Sequence, residues 1–124
     1  MNCLVDTTIL IDHLRDRKKA TAFLLEASNR LFVSSVSVAE LIEGVKNKRE
    51  LRDVKRLCDS FRVIQISKIA SEKAIDYMTE FFLSHNLQFL DALIAAAATE
   101  ENLTLITANI KHFSFIKGLK LKKW

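Results

Sequence analysis

Four oxygen-bearing side chains stand where they could do chemistry: Asp6, Glu40, Asp91 and Asn109. Asp6 directly follows the apolar run Asn2–Val5 and opens a helical pattern. Glu40 lies just past Leu31–Ser34, in the first turn of a helix expected to start near Ser37. Asp91 sits near the start of the apolar stretch Phe89–Glu100, and Asn109 comes two residues after Thr104–Thr107. Carboxylates gathered in one place repel each other unless a cation joins them, and an all-oxygen set suits Mg²⁺ or Mn²⁺ rather than Zn²⁺. Mg²⁺ keeps several waters, so a few carboxylates suffice. One or two such ions can activate water and stabilise the attacking and leaving oxygens in phosphodiester cleavage, with no catalytic His, Cys or Ser.

Each residue also has a plainer reading. Asp6 could be an N-cap accepting backbone N–H bonds. Ser37-Val38-Ala39-Glu40 fits a capping box, in which Glu reaches back to the first N–H. Asp91 could be stabilised by the helix dipole, and Asn109 could be a turn or cap residue. Asp91 is the hardest of the four to dismiss. From Phe89 to Ala98 the chain carries no other charge, and a carboxylate in so apolar a stretch must find a partner or lose its charge.

The elements that must position these groups alternate between short β-like runs and longer helical ones. Strands are expected at Asn2–Val5, Leu31–Ser34, Phe61–Ile66 and Thr104–Thr107, with a fifth at Leu119–Leu121. Helices are expected over Thr7–Leu14, Lys18–Ser28, Ser37–Lys46, Arg49–Ser60, Ser67–Ser84 and Phe89–Glu100. Such alternation predicts an α/β fold with a parallel sheet of four to five strands, covered on both faces. Ligands of such sheets bind beyond the carboxyl ends of the strands, where the acidic residues fall.

The 124 residues suit a single domain spanning 1–124, and a hydrophobic fraction of 49% is ample for its core. No apolar run approaches the roughly 20 residues of a membrane span, and the first residues lack a secretory pattern. A cytoplasmic protein with no membrane partner is the expectation. Cys3 and Cys58 read as two buried free thiols, and His13, His85 and His112 lack the short spacings of a zinc site. The net charge is +4, concentrated in Arg15–Lys19, Lys46–Arg56 and Lys111–Lys123. One such cluster is ordinarily a solvated face, but three on so small a domain favour a polyanionic partner.

Three segments resemble the PIN-domain family, and within it the VapC-type toxins of bacterial and archaeal type II toxin–antitoxin pairs. The first is Asp6-Thr7-Thr8-Ile9-Leu10-Ile11-Asp12. The second runs from Ser34 through Glu40 to Gly44. The third is Asp91-Ala92-Leu93-Ile94-Ala95-Ala96-Ala97, followed by Leu105-Ile106-Thr107-Ala108-Asn109 and Lys111-His112-Phe113. The likeness covers essentially the whole chain in the family's order. It implies a three-layer α/β/α PIN fold, with Asp6, Glu40 and Asp91 as metal ligands for Mg²⁺, or for Mn²⁺ in its place. The family's fourth acidic position falls on Asn109, an amide and so a weaker ligand, and Thr7 and Thr107 would support the site. Asp12 and Glu43, a turn or two further along their helices, are read as outlying. The resemblance further implies endoribonuclease activity on RNA, restraint by a cognate VapB-type antitoxin docked near the acidic cleft, and a homodimer. The basic clusters would then track RNA phosphates.

Other classes fit less well. A HAD-type phosphatase needs a second Asp two positions after the first, where this chain has Thr8. A receiver domain needs an Asp after the third strand, and Ile66-Ser67-Lys68 provides none. No Gly-rich phosphate loop exists for a nucleotide-binding fold. The remaining alternative is a catalytically silent PIN-like module that only binds protein or RNA. Three retained carboxylates argue against it.

Overall fold

The computed structural model describes residues 2–124. Five strands form one sheet: β1 (Cys3–Val5), β2 (Leu31–Ser34), β3 (Arg62–Ile64), β4 (Thr104–Thr107) and β5 (Leu121–Lys123). Their order is β3-β2-β1-β4-β5, and every neighbouring pair is parallel. Six helices connect them: α1 (Thr7–Leu14), α2 (Lys18–Ala27), α3 (Ser35–Glu43), α4 (Lys48–Asp59), α5 (Lys68–His85) and α6 (Phe89–Glu100). Short 3₁₀ turns occupy Ser28–Arg30 and Ile110–His112.

The two faces of the sheet follow from strand periodicity. Cys3 and Val5 of β1 pack with Leu31, Val33 and Ile106 under α1, α2 and α4. Leu4, between them, points the other way and packs with Leu105 under α5 and α6. Burial on both faces explains why the central strands read as unbroken apolar runs. Helix α6 lies flat against this second core. Ala92, Ala95, Ala96, Ala97 and Ala98 are at most 1% exposed, and methyl-sized side chains let the helix approach closely.

The chain leaves β1 for β2 on one side, then returns past it to β4 on the other. The sheet therefore reverses its winding between β1 and β4, and the crevice beyond their carboxyl ends is where such folds bind ligands. Asp6 and Asn109 both lie at that crevice.

Several boundaries differ from the sequence expectation. Strand β3 starts at Arg62 because the Phe61 N–H is already used to close α4, bonding the Cys58 carbonyl at 3.1 Å. Strand β5 begins at Leu121, two residues later than expected, after a turn at Gly118 whose φ of +82° suits glycine. Helix α3 begins at Ser35, two residues early, because Ser34 caps it: the Ser34 hydroxyl accepts the Ser37 N–H at 3.1 Å. With only two glycines in the chain, other left-handed positions fall to Asp16, Asn86 and Asn102, with φ of 60°, 55° and 55°. These are residue types that tolerate the strain. Both cysteines are buried and neither is in a disulfide, as expected, and burial pushes both thiols up from their ordinary pKa.

Candidate active site

Asp6 follows β1 directly, and its own N–H donates to the Ile106 carbonyl of β4 at 2.9 Å. The backbone is thereby pinned across the switch point before the side chain is considered. The carboxylate, only 5% exposed, uses its two oxygens differently. Oδ1 accepts the Thr7 N–H at 2.8 Å, the capping role that the sequence allowed. Oδ2 accepts the Thr107 hydroxyl at 2.7 Å. Thr107 Oγ1 in turn accepts the Asn109 N–H at 3.0 Å. Asn109 is thus tied to the site through its backbone, and it stands half-buried beside it.

Glu40 is held by a different threonine. Thr7 donates its hydroxyl to Glu40 Oε1 at 2.8 Å and lies 2.8 Å from Ser37 Oγ. A hydroxyl has one proton to give, so Ser37 is the donor to Thr7. A longer contact of 3.4 Å runs from Ser34 Oγ to Ser37 Oγ. The result is a one-way series of hydroxyls, Ser34 to Ser37 to Thr7, ending on the carboxylate. Because α3 is capped by Ser34, the capping box starting at Ser37 does not form, and the Glu40 carboxylate is directed across to α1 instead.

Asp91 enters from the first turn of α6 and is 28% exposed in its side chain. His112 stands beside it, its Nδ1 3.6 Å from Asp91 Oδ2. That spacing is too long for a hydrogen bond but close enough for a charge contact. Burial first, then the charge of Asp6 and that of Glu40, push the Asp91 pKa up to about 6, with His112 opposing them. Asp6 is also raised, by burial, against the hydrogen bonds of Thr107 and Thr7. Asp91 therefore feels the charge of both other carboxylates. Among the described residues no three Asp, Glu, His or Cys side chains stand close enough together to hold a metal ion between them. The donors at this end of the sheet are all oxygens, the type a hydrated Mg²⁺ takes while keeping several of its waters.

The structure brings Asp6, Glu40, Asp91, Thr7, Thr107 and Asn109 to one end of the sheet. Sequence reasoning missed Ser34 and Ser37 as donors in the hydroxyl series. It also saw in His112 only the lack of zinc-site spacing and its place in a resembling segment, not its position beside Asp91. The signal for Ser34 was present, since a Ser at a strand end is a helix cap whenever the helix starts immediately after it. No helix long and apolar enough to cross a membrane exists among the described residues.

The PIN domain family matches residues 3–117 of the chain. Among curated proteins, "Ribonuclease VapC10" of Mycobacterium tuberculosis strain H37Rv is 42% identical over 120 residues, covering 94% of this chain and 90% of that protein. "Ribonuclease VapC2" of Rickettsia felis is 35% identical over 107 residues, covering 82% of this chain and 79% of that one. Among solved structures, the crystal structure of VapBC2 from Rickettsia felis bound to a DNA fragment from their promoter aligns with a TM-score of 0.84 at 25% identity. That alignment covers 100% of this chain and 99% of its counterpart.

Proposed function

Because the chain belongs to the PIN-domain family, in its VapC branch, we propose that it is a Mg²⁺-dependent endoribonuclease and the toxin of a type II toxin–antitoxin pair. The observation that carries the reading is the pinning of Asp6 by Thr107 and of Glu40 by Thr7 at the switch point, facing Asp91. A carboxylate raised by burial and by two neighbouring carboxylates, as Asp91 is, has a use in holding a cation. The named ribonucleases among the relatives support RNA as the substrate.

Asp6, Glu40 and Asp91 would hold Mg²⁺, or Mn²⁺ in its place, with Asn109 beside them as a neutral oxygen donor. The bound ion supplies a Lewis acid for phosphodiester hydrolysis by water. The chain's own residues do the positioning. Thr107 fixes which Asp6 oxygen faces the crevice, and Thr7 fixes the rotation of the Glu40 carboxylate. The surrounding lysines and arginines draw in the RNA backbone.

A VapB-type antitoxin is the proposed protein partner. A cleft of about 520 Å³ beside Glu40, floored by Ile11, Leu14, Leu41 and Val54, would seat an apolar segment from it. Exposed apolar side chains on α5, among them Phe82 and Leu83 at 46% and 96%, favour a homodimer. Cytoplasmic RNA cleavage fits a chain with no membrane-crossing helix among its described residues.

The test is cleavage of a mixed RNA substrate by purified protein. Cutting should require added Mg²⁺ or Mn²⁺, stop with EDTA, and be abolished by Asp6→Asn or Asp91→Asn. Equal cutting by the wild type and both variants would overturn the metal site, and no cutting by the metal-loaded wild type would leave a silent binding module.

A further inference from the structure

Beside Asp91, on the side away from Glu40, lies a second hollow of about 180 Å³. One wall is the α5–α6 turn with His85 and Gln88, and the other is the 3₁₀ turn with Lys111 and His112. The turn between the helices is set rigidly. Asn86 closes α5 in the left-handed conformation, its N–H bonding the Phe82 carbonyl at 2.8 Å, and Leu87 is buried in the core at 2% exposure.

Two side chains on this turn are arranged in ways that packing does not require. The His85 ring lies flat on Phe115, with centroids 4.2 Å apart and planes 18° from parallel, and Phe81 meets its edge at 5.9 Å. An exposed histidine is thus held as a plate backed by aromatic rings. Gln88, at the N-cap of α6, makes no capping bond. Its Nε2 instead donates to the Asn86 carbonyl at 3.0 Å and to Asn86 Oδ1 at 3.1 Å. Two acceptors facing that nitrogen settle which end of the amide is which. Oε1 is left as a fixed acceptor at the hollow.

We infer that this hollow binds one nucleobase of the RNA next to the cleaved phosphate, an inference resting on the ribonuclease reading above. His85 supplies the stacking face, Gln88 Oε1 the acceptor for a base N–H, and Lys111 the cation for the adjoining phosphate. A held aromatic plate, an oriented amide and a cation are the elements by which unpaired RNA is gripped. The hollow opens on Asp91, so a nucleotide whose phosphate meets the carboxylates has its base within reach of His85.

The chain has only three histidines, which makes NMR of their ring protons a direct test. Nucleoside monophosphates titrated into metal-free protein should shift the His85 ring protons upfield and move the amide signals of Asn86–Gln88. His13 should stay still, and inorganic phosphate should not reproduce the His85 shift. His85→Ala should lose the amide response, while His85→Phe, which keeps a stacking face, should retain it. With RNA and Mg²⁺, His85→Ala should raise KM by about tenfold with a smaller change in kcat. No upfield shift, an equal effect from inorganic phosphate, or undiminished binding by His85→Ala would each overturn the inference. Because the titration is done without metal, it stands or falls separately from cleavage.

Discussion

The Thr107 hydroxyl bonds Asp6 Oδ2 at 2.7 Å, although 101 residues of chain separate them. Both side chains are buried, Thr107 fully and Asp6 at 5% exposure. The bond joins the two central strands just where the sheet reverses its winding, so it orients one carboxylate and closes the site's floor together.

Thr107→Val keeps the shape and removes the donor. Asp6 Oδ2 and the Asn109 N–H then both lose their partner. Stability should fall by about 1–3 kcal/mol, the usual cost of orphaning a buried polar group, and Mg²⁺ should bind more weakly. Urea unfolding and metal titration calorimetry measure the two effects. Unchanged values in both would show that the bond orients nothing.

Thr7→Val cuts the hydroxyl series at the point where it meets Glu40. RNA cleavage should drop at least tenfold, because the Glu40 carboxylate loses its one donor among the described residues. Ser37→Ala, one step further back, should cost less, since Thr7 can still donate to Glu40. Single-turnover cleavage ranks the two variants, and the reverse order would contradict the direction of donation.

The raised pKa of Asp91, about 6, makes a statement about stability with a definite sign. The folded metal-free protein binds this proton more tightly than the unfolded chain, whose Asp titrates near 3.9. Its contribution therefore favours folding below about pH 4, and is lost as the pH rises to 6 and beyond. Thermal unfolding in EDTA from pH 4.5 to 7.5 should show this loss, and Asp91→Asn should flatten that part of the curve. Mg²⁺ should raise the Tm more at pH 7.5 than at pH 5. Parallel curves for wild type and variant would remove Asp91 as the source.

Asn109→Asp would place a fourth carboxylate at the crevice. Mn²⁺ affinity should rise severalfold, while the metal-free protein should melt at a lower temperature from added repulsion. Calorimetric titration and a melt in EDTA read these separately. If affinity is unmoved, the Asn109 side chain stands apart from the bound ion.

The acidic positions were legible because strand periodicity places the strand ends, and a parallel sheet puts its ligands there. The resemblance supplied their joint role, which no single residue could. Other features depended on contacts distant in sequence. Ser34 and Ser37 are both good caps, so Ser34–Glu40 signals two possible starts for the helix and does not choose between them. His112 lies 21 positions from Asp91, and only the turn after β4 brings the two together. The edge strands β3 and β5 were the least well placed, since each is paired on one side and specified by fewer contacts.

The bond between Asp6 and Thr107 also bears on synthesis. Asp6, Glu40 and Asp91 all leave the ribosome before β4 does, and without β4 the first strand remains an open edge with Asp6 unheld. Long-range pairing of this kind forms late. A chain interrupted before residue 104 should carry Asp6, Glu40 and Asp91 and still be inert, with no growth arrest on expression. On this reading the proposed site stays unassembled until β4 has been made.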